Sequence, residues 1–545
     1  MSYLLKQPTK KKTPQAQVIP GREKDMAKNR AGGWAFKADS FEKLDRWLIL
    51  GSEGNHFYAG EQELSTENVD NVRACIQEDG LRAVKTIVDI STNGRAAKND
   101  PALYALALAI TQGVIPYAPK TPTQQAALDA IPRVARIGTH LFTLASFIDS
   151  MGGWGPAVRK AFGAWYLDRD PNSLAKQLVK YQQRNGWSHR DVLRLVHPKA
   201  DLKIDHAALL RWSAKGAEEG KTYHPLIAAF EEAKGADEKT VIRLIREHGL
   251  TREMIPTEVQ KSPAVWEALL EEMPMTAMIR TLGRMGSSGL LVPLSDASKR
   301  VVAVLGDREA LRAQRVHPIQ VLAAILTYGS GKGQKGSLSW PVVPQVKDAL
   351  NDAFYAAFEN VDPTGKNFYL GVDVSGSMTG GQVAGLAGLT PNMGAAAMAM
   401  LIARTEKNYF IGGFSTQFCD LGITASDTLE TAMRKSQRSF GGTDCATPIR
   451  HALARKYPVD AFVVLTDGMT WAGDMHASQA IIEYRQKMGR DAKLIVMNFV
   501  PYSTKLTDPL DSGSLDCVGF DASVPAVING FLGSKTASAE PEDSE

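Results

Sequence analysis

Phe368–Thr379, FYLGVDVSGSMT, is the stretch whose reading decides the fold. Phe368, Tyr369, Leu370, Val372 and Val374 are β-formers with no helical period, which predicts a strand buried on both faces. The chain then breaks at Gly376. Asp373, Ser375 and Ser377 therefore collect at the strand's carboxyl end, where open α/β sheets bind their ligands. One carboxylate and two hydroxyls are hard oxygen ligands, suited to Mg²⁺ or Mn²⁺ and poor for zinc.

The neighbouring sequence supplies companions. Ala461–Asp467, AFVVLTD, reads as a second buried strand ending in an aspartate before Gly468, and the loop Gly441-Gly442-Thr443-Asp444 lies between the two strands. The alternative is a strand end with ordinary Asx and Ser turn bonds. Aspartate, serine, serine, threonine and aspartate from three loops resemble the metal-ion-dependent adhesion site of the von Willebrand factor A family. That resemblance implies Asp373, Ser375, Ser377, Thr443 and Asp467 as metal residues, with Mg²⁺ as the expected cation.

From about residue 361 to 535 strands and helices alternate. Strands are expected at 368–374, 408–414, 459–466, 492–499 and 515–520, and helices at 394–406, 447–456, 477–488 and 524–532, with an amphipathic segment near 426–437. This is the pattern of a doubly wound, mostly parallel sheet. Residues 536–545 read as an acidic, frayed end.

The part before it reads differently. From about residue 40 to 360 helix follows helix: Asp100-Pro101 and Ser262-Pro263 are starts, Gly249 is a stop, and no strand alternation competes. With no short repeat detectable, residues 31–360 are expected to form irregular helical hairpins stacked as an α-solenoid. Gly51–Gln62 and Gly329–Ser337 are expected loops, the second lacking the frame of a phosphate-binding loop. Residues 1–30, with eight basic and two acidic side chains, read as a disordered basic tail.

Composition narrows the class. A chain of 545 residues exceeds what one core normally serves. No apolar run approaches the roughly 20 residues of a membrane helix. Cys75, Cys419, Cys445 and Cys517 are far apart and form no CxxC, which predicts reduced thiols and a cytoplasmic protein. Residues 361–545 carry 15 basic and 20 acidic side chains, leaving the basic surplus to the helical part. A basic half suggests a polyanionic partner.

The densest cationic segment is Lys176–Lys203. Lys180 and Arg184, four apart, would share a helix face suited to tracking phosphates. A break at Asn185-Gly186 and a cap at Ser188 would bring His189, Arg190 and His197 close to them. Such charges also occur as a plain solvated face, and Trp187 reads as core more readily than as a base-stacking ring.

Beyond its metal motif the chain resembles the Ro autoantigen family, in a bacterial form. The segments that carry this are WLILGSEG (Trp47–Gly54), THLFTLASF (Thr139–Phe147), KYQQRNGWSHRDVLRLVH (Lys180–His197), VWEALLEEMPMTAMIRTLGRM (Val265–Met285), HPIQVLAA (His317–Ala324) and VDPTGKNFYLGVDVSGSM (Val361–Met378), with GGTDC, FVVLTD and AKLIVMNF further on. The resemblance spans about residues 30 to 532. It implies a ring of HEAT-type helical repeats, the TROVE module, closed by a von Willebrand A domain. It also implies RNA binding without catalysis: small noncoding Y or Y-like RNA on the outer surface, at Lys180, Arg184 and His197, and single-stranded ends of misfolded RNA in the central hole. An exoribonuclease or other protein docking an acidic residue at the metal is a further expected partner. No GxSxG, HExxH or Walker frame argues for an enzyme, and one carboxylate in the DxSxS turn does not make a two-metal nuclease.

Overall fold

The computed structural model of the chain describes residues 12–51, 61–96, 98–112, 119–199, 204–314, 316–333, 337–357, 363–383, 388–438, 441–519 and 524–533. Its first surprise lies before the first helix. Met26–Lys28 (β1) and Trp34–Lys37 (β2) pair antiparallel, and β2 pairs on its other side with Thr504–Lys505, from the far end of the chain. Ile19, Met26 and Phe36 bury together, and Arg22 is buried between Asp25 at 2.7 Å and Asp508 at 2.5 Å. The expected disordered tail is therefore corrected for residues 12–30, while residues 1–11 and the acidic end from 534 lie outside the described residues. Local composition cannot reveal a partner such as Asp508, 486 positions away.

Helices then run from Ser40 to Ala356, as the periodicity predicts. Ser262 caps its helix by accepting from the Ala264 amide at 3.2 Å, and Gly249 ends Glu238–His248 in a left-handed turn. The helix at Asp100–Thr111 starts one residue earlier than expected, with Asn99 at its cap. Successive helices pack on one another, and the series returns to its beginning: His317, before the helix Pro318–Gly329, hydrogen-bonds through its ring to the Arg95 carbonyl at 3.2 Å. The middles of the two expected loops, residues 52–60 and 334–336, lie outside the described residues.

One local expectation fails in this region. The helix Pro171–Lys180 stops at Lys180, and Gln183–Arg184 (β3) pairs antiparallel with Trp187–Ser188 (β4). Asn185 and Gly186, at φ 52° and 77°, form the turn. Asn-Gly with both residues at positive φ matches the twist of a two-residue hairpin, and that preference overrides any continuation of the helix. Arg184 thus does not share a helix face with Lys180.

The carboxyl-terminal part contains the sheet. Asn367–Asp373 (β5), Asn408–Phe414 (β6), Phe418–Asp420 (β7), Ala461–Thr466 (β8), Lys493–Asn498 (β9) and Ser514–Val518 (β11) assemble in the order β11-β9-β8-β5-β6-β7, Thr504–Lys505 being β10. Five strands are parallel and β7 forms an antiparallel edge, too short to announce itself by alternation. β8 and β9 are buried throughout, as apolar runs covered by helices on both faces require. From β5 the sheet grows one way through β6 and the other through β8, so the topology reverses between β5 and β8.

The two parts are clasped together at both ends of the helical series. Arg46, buried on the helix Ser40–Leu50, donates to the carbonyls of Tyr502 at 2.6 Å and Thr504 at 2.7 Å and pairs with Asp516 of β11. At the other end Lys347 pairs with Glu430 at 2.5 Å, and Arg404 lies 4.0 Å over the Tyr355 ring. These acceptors serve the Arg46 Nη1 and Nη2 groups, because each buried donor left unpaired costs about 1–3 kcal/mol; Nε is the donor here that has no partner among the described residues.

Candidate metal centre and cationic surface

The carboxyl ends of β5 and β8 lie side by side at the reversal of the sheet, and the five metal residues gather there. Asp373, Ser375, Ser377, Thr443 and Asp467 are all buried, between 0% and 4% exposed. Their order is held by short bonds. The Ser375 amide donates to Asp373 Oδ1 at 2.9 Å, the Ser375 and Ser377 hydroxyls are 3.1 Å apart, and the Met469 amide donates to Asp467 Oδ1 at 2.9 Å. Strand ends converge on this point because each strand stops at the same edge of a parallel sheet, leaving backbone amides free to grip the carboxylates.

The electrostatics suit a cation. Burial, and then the neighbouring Asp467 charge, push the Asp373 carboxyl above the usual carboxylate range; burial does the same to Asp467, opposed by the Ser377 hydroxyl. Two carboxylates out of water and close together are a costly arrangement unless positive charge offsets them. The Thr443 hydroxyl is buried with no hydrogen-bond partner, an oxygen left over in a site where others are used. Among the described residues no three His, Cys, Asp or Glu side chains cluster, so two carboxylates and three hydroxyls are what a metal would meet. This donor set fits Mg²⁺ or Mn²⁺.

The motif did not reveal all of the centre. Thr466 donates its hydroxyl to Asp373 Oδ2 at 2.6 Å, orienting that carboxylate from the adjacent strand. In the sequence Thr466 reads only as a β-branched residue of a buried strand. Thr470 holds the Thr443 carbonyl through its hydroxyl at 3.2 Å, and the half-exposed Arg450 pairs with the buried Asp444 at 2.9 Å.

The cationic residues occupy a helix, hairpin and helix between 171 and 197. Arg184 on the hairpin, Arg190 in the first turn of His189–Val196, and His197 at that helix's left-handed end are exposed and form no ion pair with a described residue. Lys180 is half-buried, 5.5 Å above the Tyr181 ring. Burial lowers its pKa, and Lys176, Arg252 and Arg280 add to that against Glu253. The last two come from distant segments that no local signal links to Lys180. Trp187 packs half-buried against Trp154, with ring centroids 5.7 Å apart, as a core residue.

His189 does not belong to this surface. It is 3% exposed, its Nδ1 bonded with the Tyr166 hydroxyl at 2.9 Å and its Nε2 facing the Gln177 carbonyl at 3.3 Å. The expectation of His189 as an RNA contact is corrected accordingly. On the helix its side chain points inward while Arg190, one residue on, points out, as a 100° step per residue dictates.

Comparison with known proteins follows the same division of the chain. Residues 27–245 and 238–327 match the model of the TROVE domain, and residues 367–532 match that of the Ro60 vWA domain. A protein of Deinococcus radiodurans named RNA-binding protein RO60 is 41% identical over 524 residues, covering 95% of this chain and 97% of its own length. RNA-binding protein RO60 of Caenorhabditis elegans is 31% identical over 588 residues, covering 94% and 90%. The crystal structure of the Deinococcus radiodurans RO (RSR) protein superposes with a TM-score of 0.69 and covers 91% of this chain and 99% of that one.

Proposed function

The chain belongs to the Ro family, with a TROVE module followed by a von Willebrand A domain, and from that premise we propose that it is an RNA-binding protein of noncoding-RNA metabolism. The observation that carries this reading is the exposed set Arg184, Arg190 and His197, in the same helix, hairpin and helix as Lys180: two guanidinium groups and an imidazole in water that form no ion pair among the described residues. Such groups release condensed counterions when phosphates replace water around them, which is the sequence-independent source of RNA affinity.

In the finer form of the proposal, Y or Y-like RNA lies on the outer surface of the helical ring and single-stranded ends of misfolded RNA enter its hole. Selection is then by shape and free ends rather than by sequence, since a deep, narrow major groove hides the bases of duplex RNA from side chains. The protein works by binding and not by chemistry, in the cytoplasm. Asp373, Ser375, Ser377, Thr443 and Asp467 would hold Mg²⁺, which supplies an open coordination position for a partner's carboxylate. The second reading, docking of a protein such as an exoribonuclease there, is favoured by the orphaned Thr443 hydroxyl in that cluster.

The test is a binding titration of the full-length protein with a structured RNA carrying a single-stranded 3′ end and with the same RNA blunted. Tighter binding of the first, weakening steeply with salt, is the expected result. Equal, salt-insensitive binding of both would sink the proposal.

A further inference from the structure

The N-terminal segment that the sequence presents as a tail lies against the loop that follows β8. The Gln15 amide donates to the Gly473 carbonyl at 3.1 Å, the Thr13 amide to Gln479 Oε1 at 3.0 Å, and the His476 ring bonds to the Gln17 carbonyl at 2.8 Å. At its centre Asn29, buried, donates through Nδ2 to the Thr470 carbonyl at 2.6 Å. Its Oδ1 accepts the amides of Ala31 and Gly33, both at 3.0 Å, closing the turn between β1 and β2. Gly33 sits so close that a Cβ there would lie 2.1 Å from the Thr470 carbonyl oxygen.

What the turn grips leads to the metal residues. Thr470 Oγ1 donates to the Thr443 carbonyl at 3.2 Å, and the amides of Trp471 and Ala472 donate to that same carbonyl at 3.0 Å. Upstream in the same loop the Met469 amide holds Asp467. Asn29 is thus two bonds from Thr443, whose hydroxyl has no partner, and its grip falls on the segment joining Asp467 to that threonine.

We infer that the N-terminal segment is a brace for the metal centre, with Asn29 as its positioning residue. Resting on the metal reading above, this assigns the turn Asn29–Gly33, rather than the rest of the segment, the task of fixing Asp467 and its loop against Thr443. The five residues between Asp467 and Gly473 otherwise rest on Thr443, Cys445 and Thr466, and a divalent ion tolerates little error in ligand position. Partners that orient the ligands of a metal contribute to its affinity without touching it.

The test uses full-length protein and Mn²⁺ alone, titrated with free Mn²⁺ read by electron paramagnetic resonance, alongside thermal melts. Asn29→Asp keeps the acceptor that closes the turn and replaces the donor to Thr470 by a carboxylate oxygen, which repels that carbonyl. It should bind Mn²⁺ about tenfold more weakly than the parent. Gly33→Ala, which pushes on the same carbonyl, should do likewise. Arg22→Ala loosens the segment at Asp508, away from the loop, and should lower the melting temperature while leaving Mn²⁺ affinity alone. Parental affinity in Asn29→Asp, or an equal loss in Arg22→Ala, overturns the positioning role. A parent that binds no Mn²⁺ overturns the metal reading itself and the brace with it.

Discussion

The metal centre and the cationic surface are built on opposite plans. At the first, five candidate ligand residues come from three loops and are buried, and the side chains of Asp373, Ser375, Ser377 and Asp467 are tied by bonds of 2.6–3.1 Å. At the second, Arg184, Arg190 and His197 project from a hairpin and helix ends with no ion pair among the described residues. The difference follows from the ligands. A small divalent ion must exchange its water for oxygens at near-fixed distance, which only strand ends in a rigid sheet can hold. A polyanion is attracted over a Debye length of about 8 Å at physiological salt, so mobile side chains serve it well.

Asp373→Asn presses hardest on that contrast. It removes a charge from the centre while nearly preserving shape, and divalent binding should disappear while RNA affinity in the same preparation stays at the parental value. Loss of both in a protein that still melts cooperatively would mean that the two regions are one site.

Next in size comes a test of which region His189 belongs to. Burial holds its folded pKa near about 4 against an ordinary 6.5, so the folded state binds fewer protons than the unfolded one. Its contribution is complete above pH 6.5 and is lost as pH falls towards 4, by about 3 kcal/mol. Denaturant melts at pH 7 and pH 4.5 should therefore show a smaller acid loss in His189→Phe than in the parent. An unchanged loss would return His189 to the solvent-facing set.

Removing Lys180 and Arg184 together, as alanines, should weaken RNA binding and flatten the slope of log affinity against log salt by about 2, without changing Mn²⁺ affinity. An unaltered slope would show that phosphates contact other cations, of which Lys176, Arg252 and Arg280 are candidates. The smallest effect concerns the hairpin itself. Gly186→Ala forces a Cβ into positive φ at a cost of about 1 kcal/mol, and RNA affinity should fall less than in Arg184→Ala. A larger fall would mean that the cationic surface, too, is rigidly built.

How much could be read from the chain alone differs between the two regions for the same reason. The strand ends at Asp373 and Asp467 are written locally, because a both-faces-buried strand is an apolar run that here ends in an acid, with a glycine one to three residues on. Every metal residue named from the motif does arrive at one place. The cationic unit misled in two respects: Arg184 lies on a hairpin strand, and His189 faces inward. Charge spacing carries no information about which side of a helix meets a neighbour, and the Asn185-Gly186 turn signal makes a hairpin rather than a mere break between helices.

The sequence by itself determined the order of the elements, the split into a helical series and a doubly wound sheet, and which oxygen-bearing and basic residues are the candidates for a metal and for RNA. Those features depend on short-range periodicity, turn chemistry and residue type, which act within a few positions. Only the tertiary structure decided that the topology reverses between β5 and β8, that Thr466 orients Asp373, that Arg46 clasps the helices to the sheet, and that residues 12–37 are a packed strap. Each of these joins residues 93 to 486 positions apart, and their energies come from desolvation and hydrogen bonding between partners that meet only once the chain has folded.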